Sequence, residues 1–261
     1  MKCKICTHEA GELFSHLVLE KYSVKFFQCS NCGYIFSEEP YWLEEAYKLS
    51  INISDTGILQ RNIEFSKTTS TLLFTCFNKR AKFLDYAGGY GIFTRLMRDM
   101  GFDYFWYDPF CENIFAKYLE ADKKTKEKYQ LLTAFESFEH FVNPLYEVEK
   151  MLSFSENILF STVLVPPQIA QLENWWYFGF EHGQHISFYS FASLEYLAQN
   201  FGLKLFRFGN LFLFTRKNIS KIALSVFYKL RFPISLVRKK TMKSLTEYDL
   251  QFLKMKGKRD A

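Results

Sequence analysis

Several features are missing from this chain of 261 residues, and each absence removes a class of protein. No apolar run reaches the roughly 18 residues that a membrane-crossing helix needs. Residues Met1 to Glu12 contain no apolar stretch of the signal-peptide kind, so a cytoplasmic location is the expectation. The cysteines do not form the even, spread-out framework of a secreted disulfide domain. Four of the six fall in two close pairs, and Cys76 and Cys111 stand alone. Internal repeats and low-complexity segments are absent. Uniform basicity is absent too, although the net charge is +5. The positive charge is concentrated from Lys217 onward, where twelve Lys or Arg face only Glu247, Asp249 and Asp260, and the rest of the chain is mildly acidic. That distribution does not suit a nucleic-acid enzyme, and no nucleic-acid partner is expected.

What is present fits a soluble globular protein: 48% hydrophobic and 23% charged residues, with 30 Phe and 16 Tyr to build a sizeable core. The length allows one full α/β domain plus small additions. Four regions follow from the pattern. Residues 1–40 hold the cysteine pairs and short β-like pieces such as Lys25 to Gln28. Residues 41–78 read as a mostly helical connector, interrupted near Ser54 to Gly57. Residues 79–216 alternate apolar strands with helical stretches, and residues 217–261 form a basic tail.

The third region sets the fold class. Strands are expected at Ala81–Ala87, Tyr104–Tyr107, Tyr129–Phe135, Asn157–Val165, Leu203–Phe208 and Leu211–Thr215. Helices are expected at Phe93–Met100, Pro144–Leu152 and Ser190–Phe201, with Gly101 and Gly202 as stops. Alternation of this kind predicts a doubly wound, mostly parallel α/β sheet with helices on both faces. The Gly209-Asn210 turn predicts a closing hairpin and hence one antiparallel strand.

Cys3-Lys4-Ile5-Cys6 and Cys29-Ser30-Asn31-Cys32 can each aim two thiolates at one metal. A closed tetrahedral zinc site leaves no open position, so this ion is expected to be structural. Gly33 suits the tight turn after the second pair. His8 and His16 lie nearby and read as surface residues.

Phe83-Leu84-Asp85-Tyr86-Ala87-Gly88-Gly89-Tyr90-Gly91 follows the first strand of the third region and opens a helix. Glycines there allow close backbone approach to a ligand, but the spacing is not the G-x-G-x-x-G of dinucleotide sites. It resembles the D-x-G-x-G-x-G motif of class I methyltransferases dependent on S-adenosylmethionine (SAM), with Ala87 at the first glycine position. Asp108 ends the next strand, and Leu132 to His140 resembles the strand-four motif of the same family, with Phe135 among its cofactor contacts. The resemblance implies that Asp85, Ala87, Gly88, Gly89 and Gly91 hold the methionine part of SAM and that Asp108 binds the ribose hydroxyls. It is nearest to members with an amino-terminal four-cysteine module in sugar and surface-polysaccharide pathways. Asp55 to Gly57, Arg61-Asn62, Trp175-Trp176 and Gly183 to Tyr189 carry that likeness. The family's usual third strand, and the acid that contacts adenine, are not discernible between Asp108 and Tyr129.

Methyl transfer to oxygen or carbon needs a base for the acceptor's proton. Glu139, His140, Glu181, His182 and His185 are the candidates. His182 or His185 is the expected base, with Glu139 orienting His140; a purely structural hydrogen bond is the competing reading for each histidine. Trp175, Trp176 and Tyr177 offer faces that stack on sugars, or else core packing. A small-molecule or sugar acceptor follows, with ribosomal RNA methylation or a degenerate SAM-fold scaffold as the alternatives. In the tail, Ile219, Ile222, Ala223, Val226, Phe227 and Leu230 recur at helical spacing, with Lys221, Lys229 and Arg231 off that stripe. This predicts an amphipathic helix that either docks on protein or touches an anionic inner-membrane surface.

Overall fold

The computed structural model describes residues 1–48, 55–121, 128–167, 169–220, 222–224, 227 and 241–257. Most of the expected basic amphipathic helix lies outside these residues. Among the described residues no helix is long and apolar enough to cross a membrane.

In chain order the elements are β1 (Ala10–Val18), β2 (Tyr22–Cys29), β3 (Ile35–Ser37), α1 (Leu43–Ala46), α2 (Ile58–Cys76), β4 (Lys82–Tyr86), α3 (Ile92–Asp99), β5 (Asp103–Tyr107), β6 (Leu131–Ala134), α4 (Pro144–Phe154), β7 (Asn157–Ser161), β8 (Ser187–Phe188), α5 (Phe191–Asn200), β9 (Lys204–Phe208), β10 (Leu211–Thr215) and α6 (Thr246–Gly257). They form a six-stranded sheet in the order β5-β4-β6-β7-β10-β9 and a four-stranded sheet in the order β1-β2-β3-β8. The chain divides into two compact units, Met1–Ile53 with Ala134–Arg216, and Ser54–Thr133 with Lys217–Ala261.

In the second unit β4 pairs in parallel with both β5 and β6. Phe83, Leu84, Asp85 and Tyr86 are all buried, as expected of a strand covered on both faces. Helix α3 ends where Gly101 takes a φ of +90°, a left-handed conformation that costs glycine little. No described strand occupies the place beyond β5 where the family's third strand is expected. A vestige remains: Glu120 forms one parallel bridge with Trp106, through Trp106 N–H to the Leu119 carbonyl (2.8 Å) and Ala121 N–H to the Trp106 carbonyl (2.7 Å).

In the first unit β10 runs antiparallel to both β7 and β9, so the hairpin strand is inserted between them. Asn143 caps α4 by accepting from Tyr146 N–H, with Pro144 in the first turn, and Ser190 caps α5 by accepting from Ser193 N–H. The strand expected to reach Val165 stops at Ser161. Thr162 N–H goes to the Asn210 carbonyl and Val165 N–H to the Tyr189 carbonyl, so the chain leaves the ladder there. Val163 and Val165 then pack on the cluster formed by Val24, Phe26, Ile35, Trp42 and Phe188, beneath the amino-terminal sheet.

Candidate functional site

The glycine loop is built on the end of β4. The Asp85 carboxylate is 2% exposed and accepts from the Thr94 hydroxyl (2.9 Å) and the Thr133 hydroxyl (3.2 Å). Burial pushes its pKa up to about 7, with the Thr94 and Thr133 hydroxyls opposing the shift. Ala87 adopts a φ of +55° and Gly89 a φ of +52°, so the position where the family has glycine does require left-handed backbone. A Cβ on Gly91, which opens α3, would lie 2.9 Å from Ala116 Cβ. One on Gly88 would lie 2.7 Å from Trp106 Cδ1 and 2.9 Å from Asp85 Oδ2. The Trp106 indole also donates to the Gly89 carbonyl at 2.9 Å. Trp106 thus fills the space that Gly88 leaves, a partner that strand alternation alone did not single out.

Asp108 links this loop to the next. Its Oδ2 accepts from Gly89 N–H (3.0 Å), and its Oδ1 accepts from the N–H groups of Phe110 (2.8 Å) and Cys111 (3.0 Å). The carboxylate therefore does the turn-capping work of an Asp before proline, and is already tied to the central glycine. Asp85, Ala87, Gly88, Gly89, Gly91 and Asp108 come together within the second unit.

The candidate base residues lie in the first unit. Phe135 is half-buried and Glu136 exposed. Glu139 and His140 sit on the one-turn helix Phe138–His140, and Ile186 N–H donates to the Glu139 carbonyl at 2.9 Å, joining this turn to the segment that carries His185. Glu139 is 1% exposed. The His140 and His185 rings lie 5.0 Å apart, and those of His182 and His185 4.6 Å apart. Glu181 is exposed. Burial lowers the pKa of all three histidines, that of His140 to about 4, so the imidazoles are neutral near pH 7.

Hydrogen bonding separates the two base candidates. His185 Nδ1 is 2.6 Å from the Tyr177 carbonyl, which only accepts, so the proton is on Nδ1 and the lone pair on Nε2. His182 Nδ1 accepts from Gln184 N–H at 3.1 Å, so its proton is on Nε2. His140 Nδ1 lies 3.0 Å from the Gln184 carbonyl and 2.9 Å from the Tyr47 hydroxyl. Tyr47 was not marked by any motif. Of the tryptophan cluster, Tyr177 is 2% exposed and belongs to the core, while Trp176 is 73% exposed.

Four sulfurs converge in the amino-terminal module. Cys3 Sγ is 3.7 Å from Cys32 Sγ, Cys6 Sγ is 3.4 Å from Cys29 Sγ, and all four lie within 4.8 Å of one another. Ile5 N–H and Cys32 N–H point at Cys3 Sγ (3.4 Å) and Cys29 Sγ (3.5 Å), as polarised amides do around thiolates. Cys3, Cys29 and Cys32 are buried. The donor set and its convergence fit a tetrahedral ion.

No curated protein matches the sequence. Among solved structures the chain is similar to CalO1, a methyltransferase in calicheamicin biosynthesis in its SAH-bound form, at 12% identity and a TM-score of 0.40, covering 59% of this chain and 55% of that one. It therefore spans about half the length of CalO1. It is similar to magnesium protoporphyrin IX methyltransferase (ChlM) from Synechocystis PCC 6803 with bound SAH, at 13% identity and a TM-score of 0.44, covering 68% and 96%. It is also similar to an O-methyltransferase family protein from Burkholderia thailandensis, at 10% identity and a TM-score of 0.47, covering 68% of each chain. The family model described as a methyltransferase domain matches residues 59–207, more than half of the sequence, and takes in both the glycine loop and the histidine cluster. The chain belongs to this family and carries a SAM-dependent methyltransferase domain.

Proposed function

We propose that this methyltransferase acts on a sugar, nucleotide-sugar or glycan intermediate, with His185 as the base that takes the acceptor's proton. The observation that carries the reading is the state of His185. Its Nδ1–H is held by the Tyr177 carbonyl, which leaves the lone pair on Nε2 to accept a proton. His182, whose Nδ1 is engaged by Gln184 N–H, is the weaker candidate. The exposed indole of Trp176 adjoins Tyr177, with ring centroids 5.3 Å apart, and Tyr177 in turn contacts His185 at 4.9 Å. An exposed aromatic face one ring removed from a base suits a sugar with a reactive hydroxyl or acidic carbon.

SAM supplies an activated methyl group when bound, so the protein's part is alignment and proton removal. Asp85 and the loop Ala87–Gly91 would hold the methionine end, Asp108 the ribose and Phe135 a cofactor edge. Cys3, Cys6, Cys29 and Cys32 would hold one structural zinc ion, with no part in the chemistry.

Turnover with a panel of nucleotide sugars, read by mass spectrometry as one added methyl group, tests the acceptor class. His185→Asn is expected to lower the rate by about 10²–10⁴ with little change in SAM affinity. No methylated product from any sugar would end the acceptor reading. An unchanged rate in His185→Asn would end the assignment of the base.

A further inference from the structure

Outside the cysteine module, one group of side chains in the described residues has the composition of a metal site. A donor atom from each of Glu139, His140 and His185 lies within 4.8 Å of the other two. Their protonation makes the arrangement unusual. His140 and His185 both place Nδ1 against a backbone carbonyl, Gln184 at 3.0 Å and Tyr177 at 2.6 Å. A carbonyl accepts only, so His185 carries its proton on Nδ1 and presents a lone pair at Nε2; His140 Nδ1 is shared between the Gln184 carbonyl and the Tyr47 hydroxyl (2.9 Å), and donation to the carbonyl gives it the same tautomer. The third member is a carboxylate on a residue that is 1% exposed. A ring nitrogen from each of two imidazoles and an oxygen of a buried carboxylate, at this range, make a donor set of the kind that binds a metal ion.

The rest of the geometry distinguishes a ligand set from a chance cluster. A carbonyl holding the far N–H of a histidine is the usual device for fixing a metal-binding ring and its tautomer. The two segments that carry the donors are joined by the bond from Ile186 N–H to the Glu139 carbonyl (2.9 Å). The Tyr47 hydroxyl supports His140 from a third segment at 2.9 Å. His182 is excluded from the set, because its Nδ1 accepts from Gln184 N–H. Two imidazoles and one carboxylate with open positions suit zinc, iron(II), cobalt(II) or nickel(II) rather than calcium or magnesium. Metal–ligand bonds of about 2.1 Å bring tetrahedral donors to about 3.4 Å apart, a spacing that lies within the 4.8 Å bound on these three donors.

We infer that Glu139, His140 and His185 form a second metal site, for a divalent transition-metal ion, and that this ion inhibits the enzyme. Inhibition rests on the reading of His185 as base. The Nε2 lone pair that would take the acceptor's proton is the one the ion would occupy, and it serves one or the other.

The full-length protein is titrated with cobalt(II) after removal of bound metal. The first equivalent is expected at the four cysteines, with intense sulfur-to-cobalt charge-transfer absorption. A second equivalent is expected to add weak visible bands without charge transfer. Glu139→Gln and His185→Asn should each weaken only the second equivalent, at least tenfold, while SAM binding by calorimetry reports that the variants are folded. A single equivalent in the wild type, or a second one indifferent to both substitutions, would overturn the site. In the turnover assay the second equivalent should lower the wild-type rate at least tenfold, with recovery on chelation. A rate that is unchanged or rises would overturn inhibition. If no acceptor turns over at all, the fault lies with the acceptor reading, and the spectroscopic count still decides the site.

Discussion

Ala87 is the one departure from the glycine pattern of the loop, and the backbone makes its cost readable. At a φ of +55° an alanine sits in the left-handed region, about 1–2 kcal/mol above the favoured conformations. Ala87→Gly relieves that strain and loses some chain stiffness, so a net gain of about 0.5–1 kcal/mol in unfolding free energy is expected by urea titration. A loss of stability would mean that the methyl group packs usefully. Asp85 gives a pH dependence. Its carboxyl is raised by burial from 3.8 to about 7, so the folded state holds the proton more tightly than the unfolded chain. The stabilising contribution is therefore complete below the unfolded value and is lost as pH rises through the folded one, a change of about 4 kcal/mol. Asp85→Asn should show a shallower fall in stability between about pH 4 and pH 8 than the wild type; parallel curves would refute this assignment. Asp108 already accepts three backbone N–H groups, and the proposed contact with the ribose of SAM would add to that work. Asp108→Ala should weaken SAM binding by about 1.5–3 kcal/mol in calorimetry, the range for hydrogen bonds to a charged group.

Among the elements, α6 is tied to α3 through buried Asp249, with Thr246 donating to Asp99 at 2.9 Å. Asp249 accepts from Arg98 Nε and Nη2 at 2.7 and 2.6 Å and from Arg95 Nη1 at 2.6 Å. The side chains of Arg98 and Asp249 are 2% and 5% exposed. Removing Asp249 leaves buried Arg98 with Asp103 (2.7 Å) as its remaining ion partner, so Asp249→Ala should cost about 2–4 kcal/mol, somewhat less than a fully stranded charge. Thermal and urea unfolding check this, and a change under 1 kcal/mol, about the worth of a surface pair, would show that the pair is not buried in solution. Legibility at this scale is uneven. The strand and helix around the glycine loop are readable to within a residue or two, because turn glycines and apolar runs are local signals. The stop of β7 at Ser161 is not. Thr162-Val163-Leu164-Val165 continues the strand-forming composition, and composition says nothing of which backbone partner is available. The vestigial third strand at Glu120 is hidden for a similar reason: one bridge leaves no periodicity.

For the whole molecule the amino-terminal module is the clearest test. Its sheet takes a fourth strand, β8, from a segment some 150 residues further along the chain, with Ile35 opposite Phe188 and Phe36 opposite Ser187. Zinc bound by the four cysteines should therefore stabilise more than the first forty residues. Metal analysis is expected to find one ion at the cysteines, and its removal by a chelator should lower the melting temperature of the first unit. Chelation without any effect on unfolding would show that the cysteines do not hold a structural ion.

The sequence by itself determined the parts that short-range rules govern: paired cysteines at knuckle spacing, a glycine turn between strand and helix, an acid at the next strand end, and the alternation that makes an α/β sheet. Tertiary structure alone decided which lone pairs face which. His140 and His185 are brought together by β8 and the turn at Phe138–His140, and the tautomer of His185 is set by the carbonyl of Tyr177. Trp106 reaches Gly88 only through parallel pairing of β4 and β5. These contacts depend on packing between segments distant in sequence. A linear pattern records which residue types are present, but the proton positions and partners follow from the fold that surrounds them.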